Sequence, residues 1–206
     1  MRRFLAFTFT GWALLLASCK KESPVSPNFP EFLLPLKVGN WEALRTSTFD
    51  TTGTEIYSFN DTIRVFADTI IASDHWFLTT YANYALTNRS DGVWAVRFDF
   101  NPIQISYDLY GVVSHFFKYP ANEGDQWEIH ADTSSWSLVS KSASIEVPNG
   151  LHTCYLYRLV EVGFDAKVDY YIEPGIGIVA QKTYVKTISG REYLDQSSVL
   201  VSYKLF

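Results

Sequence analysis

Polar and apolar positions fall into two regimes along this chain. Phe4 to Ala17 is one apolar run interrupted only by Thr8, Thr10 and Gly11. From Trp41 onward, apolar residues alternate with polar ones in short blocks, punctuated at Thr52-Gly53, Asp91-Gly92, Asn101-Pro102, Asn149-Gly150, Pro174-Gly175 and Ser189-Gly190. A spacing of two places every second side chain on one face of a strand, whereas a helix repeats every three or four residues. The block Val93 to Phe100 is the clearest case, with Trp94, Val96, Phe98 and Phe100 on one face and Arg97 and Asp99 on the other. Ser144–Val147 and Leu151–Tyr155 flank Pro148-Asn149-Gly150 and predict a hairpin, with Asn149 and Gly150 supplying the positive φ angles of its turn. Ser197 to Phe206 alternates to the last residue and predicts a strand tied into the sheet. No stretch offers a capped helix of ordinary length, and Pro30 to Leu34 allows only a short helical turn.

These blocks amount to about a dozen strands with short links. The predicted fold is all-β: a single curved antiparallel sheet or incomplete barrel over residues 31–206, with a β-sandwich as the alternative. Composition agrees, because 17% of residues are aromatic and only 19% charged, a balance that pleated surfaces select. A short repeat runs through it. Pro35, Gly39, Asn40 and Trp41 are matched by Pro120, Gly124, Asp125 and Trp127, each reading as a glycine turn whose tryptophan opens a strand. Duplication and coincidence both account for that match.

The apolar run at the N-terminus is too short for the roughly 20 residues of a membrane-spanning helix. With Arg2 and Arg3 before it and Leu16-Ala17-Ser18-Cys19 closing it, residues 1–18 read as a lipoprotein signal peptide. The Cys19 thiol is then the acceptor of a diacylglyceryl group, and residues 19–30, rich in Lys, Ser and Pro, form a lipidated tether. This places the protein in the cell envelope, anchored to the outer membrane on its periplasmic face or at the cell surface. The formal charge of −5 becomes more negative once both arginines are removed, which excludes the basic face a nucleic-acid partner requires. With Cys19 acylated, Cys154 alone remains, so no internal disulfide forms. Inside a strand-like run it reads as a small core residue rather than a nucleophile.

The order and spacing of four motifs carry a resemblance. They are Phe32 to Trp41, Tyr119-Pro120 with Gly124-Asp125 and Trp127, Val147 to Gly150 followed by Cys154-Tyr155, and Glu173 to Val179. Together they resemble a family of β-rich bacterial lipoproteins of unknown function, grouped under TapB-like or domain-of-unknown-function headings. The resemblance implies a strongly curved sheet or incomplete barrel and brings no established activity. It makes Gly39, Trp41, Gly124, Trp127, Asn149, Gly150, Pro174 and Gly175 structural turn positions.

Recognisable catalytic and metal-binding patterns do not occur. His75, His115, His130 and His152 lack metal-ligand spacing, and no cofactor motif is present. Asp61, Asp68, Asp74, Asp165 and Asp169 serve a hydrolase only if two of them face each other across a cleft. Three functions follow as expectations. The first is a non-catalytic binding module for a hydrophobic or carbohydrate ligand, with Trp76, Trp94, Phe98 and Phe100 as an aromatic platform; the same residues read more readily as core, since alternating aromatics are the normal filling of a sheet. The second is an interaction subunit docking another envelope protein, and the third a hydrolase.

Overall fold

The period-two blocks become strands in the computed structural model, which describes residues 32–101, 106–128, 134–161 and 165–206, leaving out the side chains of 99–101 and 106–111. In chain order the strands are β1 (Trp41–Phe49), β2 (Glu55–Ile71), β3 (Asp74–Thr79), β4 (Tyr84–Arg89), β5 (Gly92–Asn101), β6 (Ser106–Lys118), β7 (Gln126–Glu128), β8 (Ser135–Val147), β9 (Gly150–Glu161), β10 (Ala166–Glu173), β11 (Gly177–Lys186) and β12 (Glu192–Lys204). All twelve lie in one sheet, in the order β6-β5-β4-β3-β2-β1-β12-β11-β10-β9-β8-β7. The chain therefore makes two six-stranded meanders, joined where β1 pairs antiparallel with β12. The signal peptide, Cys19, the tether and Pro30 lie outside the described residues.

The two ends of this order, β6 and β7, are consecutive in sequence. The link from Tyr119 to Asp125 spans at most roughly 25 Å, against roughly 50 Å across a flat sheet of this width. The sheet is accordingly curled, as an incomplete barrel, and side chains rather than a backbone ladder bridge its edges. The Trp127 indole donates to the His115 carbonyl at 3.1 Å, and the Tyr157 hydroxyl to the Lys118 carbonyl at 2.8 Å. Aromatic rings fill the space enclosed: Phe117 meets Trp136 edge-on at 4.9 Å and Tyr170 at 5.6 Å, and Phe116, Tyr155 and Tyr157 complete the main core. A second cluster forms where the β8–β9 hairpin bends at two bulges, so that Ile145, Val147 and Cys154 pack with Leu44, Val179, Ala180 and Leu200.

The two Pro-Gly-Trp motifs open the two meanders and fold alike. Asn40 N–H donates to Lys37 O at 3.0 Å, and Asp125 N–H to Asn122 O at 3.0 Å. Gly39 and Gly124 take φ of 97° and 89°. Each glycine N–H then bonds the second strand of its own meander, at Val65 O and Leu138 O, and those same residues return N–H bonds to Asn40 O and Asp125 O. The two copies thus share three equivalent backbone hydrogen bonds. One difference matters: Gln126 is an extra residue between turn and tryptophan in the second copy. A slip of one residue exchanges the faces of a strand. Trp127 is thus buried and Glu128 exposed, while in the first copy Trp41 and Glu42 are both half-buried, with the Glu42 carboxyl set against Gly177 of β11.

Two expectations need correction here. The predicted hairpin forms, but Val147 pairs with Gly150, so Pro148 and Asn149 are the central turn residues. Gly150 alone takes the positive φ, 133°, as the first residue of β9, and Asn149 does not. Proline at the first central position and glycine after the second are what a type I turn favours. The β5 strand, read as half buried, is covered on both faces: Val93 and Ala95 enter the main core, while Val96 and Phe98 join Trp76, Leu78 and Ala85 in a third cluster.

Candidate functional site

One mouth of the curled sheet is crossed by a strap, residues Phe32 to Asn40, that lacks regular structure because Pro35 and the Gly39 turn interrupt it. The strap is fastened to both meanders. Leu33 O accepts from Gly175 N–H at 3.3 Å on the β10–β11 turn, Leu34 O from Asn88 Nδ2 at 3.0 Å on β4, and Val65 O on β2 from Gly39 N–H at 2.9 Å. The buried Asn40 ties the strap to itself and to the chain end: its Nδ2 donates to Pro35 O at 2.6 Å, and its Oδ1 accepts from Phe206 N–H at 2.9 Å.

Beneath the strap lies a narrow cavity of about 40 Å3, enough for a few water molecules. Its wall is apolar almost throughout, formed by Leu34, Leu36, Ile63, Leu86, Phe116 and Phe117 among others. On the outer side of the strap is an open groove of about 690 Å3, lined by Phe32, His75, Phe77, Asn88 and Phe206. Leu34, Pro35, Leu36, Asn40 and Leu205 line both spaces and form the partition between them.

Four polar side chains also reach the cavity wall, and three are already engaged. Asn40 is held as described. Thr79 donates to Tyr84 O at 2.9 Å, and the Tyr81 hydroxyl meets Tyr170 at 2.9 Å and Gln181 Oε1 at 3.2 Å. Burial raises the Tyr81 hydroxyl well above the ordinary tyrosine value. Glu42 is the fourth. No cation pairs with it among the described residues, and burial pushes its carboxyl up to about 8 against the opposing pull of the Ile178 N–H. Its place against β11 exists because residue 177 is glycine: a Cβ there would overlap the Glu42 carboxyl, and Gly177 has φ of 119°.

Of the aromatic residues that read as either platform or core, two are core. Trp76 and Phe98 are 3% and 5% exposed, closed within the third cluster, and cannot stack on a ligand from there. Trp94 is partly open, but His115 stacks on its ring at 4.5 Å and the Arg89 guanidinium lies 4.7 Å from it. Arg89 is in turn paired with Asp74. The Phe100 side chain lies outside the described residues. The turn residues Gly39, Gly124, Gly150 and Gly175 all take positive φ, and Pro174 stands in the β10–β11 turn that holds the strap.

The aspartates, histidine and cysteine that could serve chemistry are held elsewhere. Asp68 pairs with His75, Asp165 with Lys186 at 3.5 Å, and the buried Asp169 with Arg158 at 2.6 and 2.8 Å. Asp61 accepts from Thr62 N–H. His152 is held at both ring nitrogens, by Glu173 at 2.6 Å and Asn149 at 3.1 Å. Cys154 is fully buried, and burial with the nearby Glu173 charge pushes its thiol up to about 12, away from nucleophilic use. Among the described residues no group of three potential metal ligands converges. Glu42 escaped the sequence reading because a glutamate entering a strand reads as a solvent-facing charge; only the missing residue relative to Gln126 marks it. Set against known proteins, the chain matches no protein-family model and no curated protein.

Proposed function

We propose that this chain is a lipid-anchored protein of the cell envelope whose β domain is a non-catalytic binding module for a hydrophobic ligand. The observation that carries the reading is the apolar cavity beneath the strap, separated from a much larger groove only by residues 34–36, Asn40 and Leu205. Apolar lining with few polar groups suits an apolar ligand better than a sugar, whose hydroxyls require several convergent partners. In the wall the Thr79 hydroxyl donates to a backbone carbonyl and the Tyr81 hydroxyl bonds Tyr170 and Gln181, so neither is paired with a general base as an activated nucleophile would be. The anchor is supported by Leu16-Ala17-Ser18-Cys19, and the order of turn motifs resembling TapB-like lipoproteins is in keeping with it.

Native mass spectrometry of the full chain, gently extracted from its own envelope, tests this function. A discrete bound lipid is the expected result. A stably bound protein with no small ligand would favour the interaction subunit instead, and an empty monomer would remove the support for both. The anchor is tested separately by Cys19→Ala, which is expected to abolish palmitate labelling and release the chain from membranes; retained labelling refutes it.

A further inference from the structure

We infer that the cavity receives the ammonium head of an amphiphile, with the Glu42 carboxylate as its counter-charge and the Tyr81, Phe116 and Phe117 side chains as the surrounding wall. This deepens the binding-module reading and rests on it. None of the fifteen residues lining the wall is Lys, Arg or His, so Glu42 has no partner of opposite charge there. A carboxyl in such surroundings is costly to the fold, since buried charges persist when paired and a leucine of similar size would pack at no electrostatic cost. The chain nevertheless accommodates it, by a glycine at position 177 whose left-handed φ and missing Cβ leave room for the carboxyl, while the matching Glu128 faces solvent.

A ligand that brings the missing cation completes a neutral pair inside the apolar wall. Aromatic side chains strengthen the match, because ring faces attract cations and a primary ammonium is compact enough for a narrow site. Phe116 and Phe117 lie with ring centroids 4.6 Å apart, and Tyr81 stands 6.4 Å from Phe116. An anionic head would instead set a second unpaired negative charge beside the first. The alkyl chain would leave the cavity between the strap and Leu205, whose residues border the open groove as well. The acidic chain as a whole, with net charge −5, also favours approach of cations over anions. Among titratable groups only Tyr81 shares the wall with Glu42, and it stays protonated; the one titratable residue of the strap, Lys37, lines the outer groove and not the cavity, and Ile63 of β2 and Ile178 of β11 bring none.

The test titrates the purified full chain with hexylammonium, hexanol and hexanoate, read by ligand-observed NMR at several pH values. Hexylammonium is expected to bind about tenfold or more tighter than hexanol, with hexanoate weakest. Its affinity is expected to rise about tenfold per pH unit up to about 8 and then level, because binding must displace the Glu42 proton. Glu42→Gln, checked for an unchanged fold by circular dichroism, is expected to keep hexanol binding and lose the preference for the cation. Equal binding of hexanol and hexylammonium, or a preference that survives Glu42→Gln, overturns the inference while leaving the binding module intact. Binding of none of the three overturns both.

Discussion

At neutral pH an ordinary glutamate is ionised; Glu42, with its carboxyl raised to about 8, is mostly protonated. The direction of the consequence follows from linkage. Between the unfolded value of 4.5 and the folded value of about 8, the folded state holds more protons than the unfolded one, so stability falls as pH rises through that window and is fully present below it. The slope is at most about 1.4 kcal/mol per pH unit. Urea titrations of the wild type and Glu42→Gln at about pH 5 and about pH 8 are expected to show the wild type losing ground to the variant at the higher pH; parallel curves would mean that the carboxyl is solvated. A second expectation concerns its neighbour. Gly177→Ala is expected to destabilise strongly, because the new Cβ overlaps Glu42 and the φ of 119° disfavours any side chain. Combining it with Glu42→Ala should recover the steric part alone, giving a coupling of about 0.5–3 kcal/mol in a double-mutant cycle.

At the scale of elements, the strap is the piece whose loss separates binding from folding. Asn40 supplies two of its hydrogen bonds from a buried position, so Asn40→Ala is expected to cost about 1–3 kcal/mol and leave the twelve-strand sheet in place. Hydrogen exchange should show the loss of protection confined to the strap and the last residues of the chain; a global change would make Asn40 a core residue instead. The strands themselves were legible from the sequence, because alternation and glycine turns are local and the repeat of Val93 to Phe100 has no helical reading. What covers each face was not. Phe98 and Trp76 are buried by the way neighbouring strands close over them, and the Glu42 carboxyl meets Gly177 of β11, distant in sequence. Both depend on register across the sheet, which alternation within one strand does not encode. The turn at Pro148-Asn149 was misplaced by one position for a related reason: Asn-Gly fits more than one turn, and the pairing of Val147 with Gly150 selects among them.

At the scale of the molecule, β1 and β12 form the one ladder among the described residues that joins the two meanders. Removing residues 197–206 deletes most of the β12 side of that ladder together with the buried Leu200, and the truncated chain is expected to lose cooperative unfolding by circular dichroism. The seam between β6 and β7, by contrast, is crossed by side chains and by the peptide link itself. Around this ring the places where the chain is continuous and where it is cut are therefore nearly equivalent: Phe206 bonds to Asn40, and Phe32 and Phe206 border the same groove. A circular permutant follows from this. Joining Phe206 to Phe32 through a short linker and opening the chain within Tyr119–Asp125 is expected to preserve the strand order and a single unfolding transition. The order in which the two meanders are synthesised would then be reversed while the ring they build stays the same.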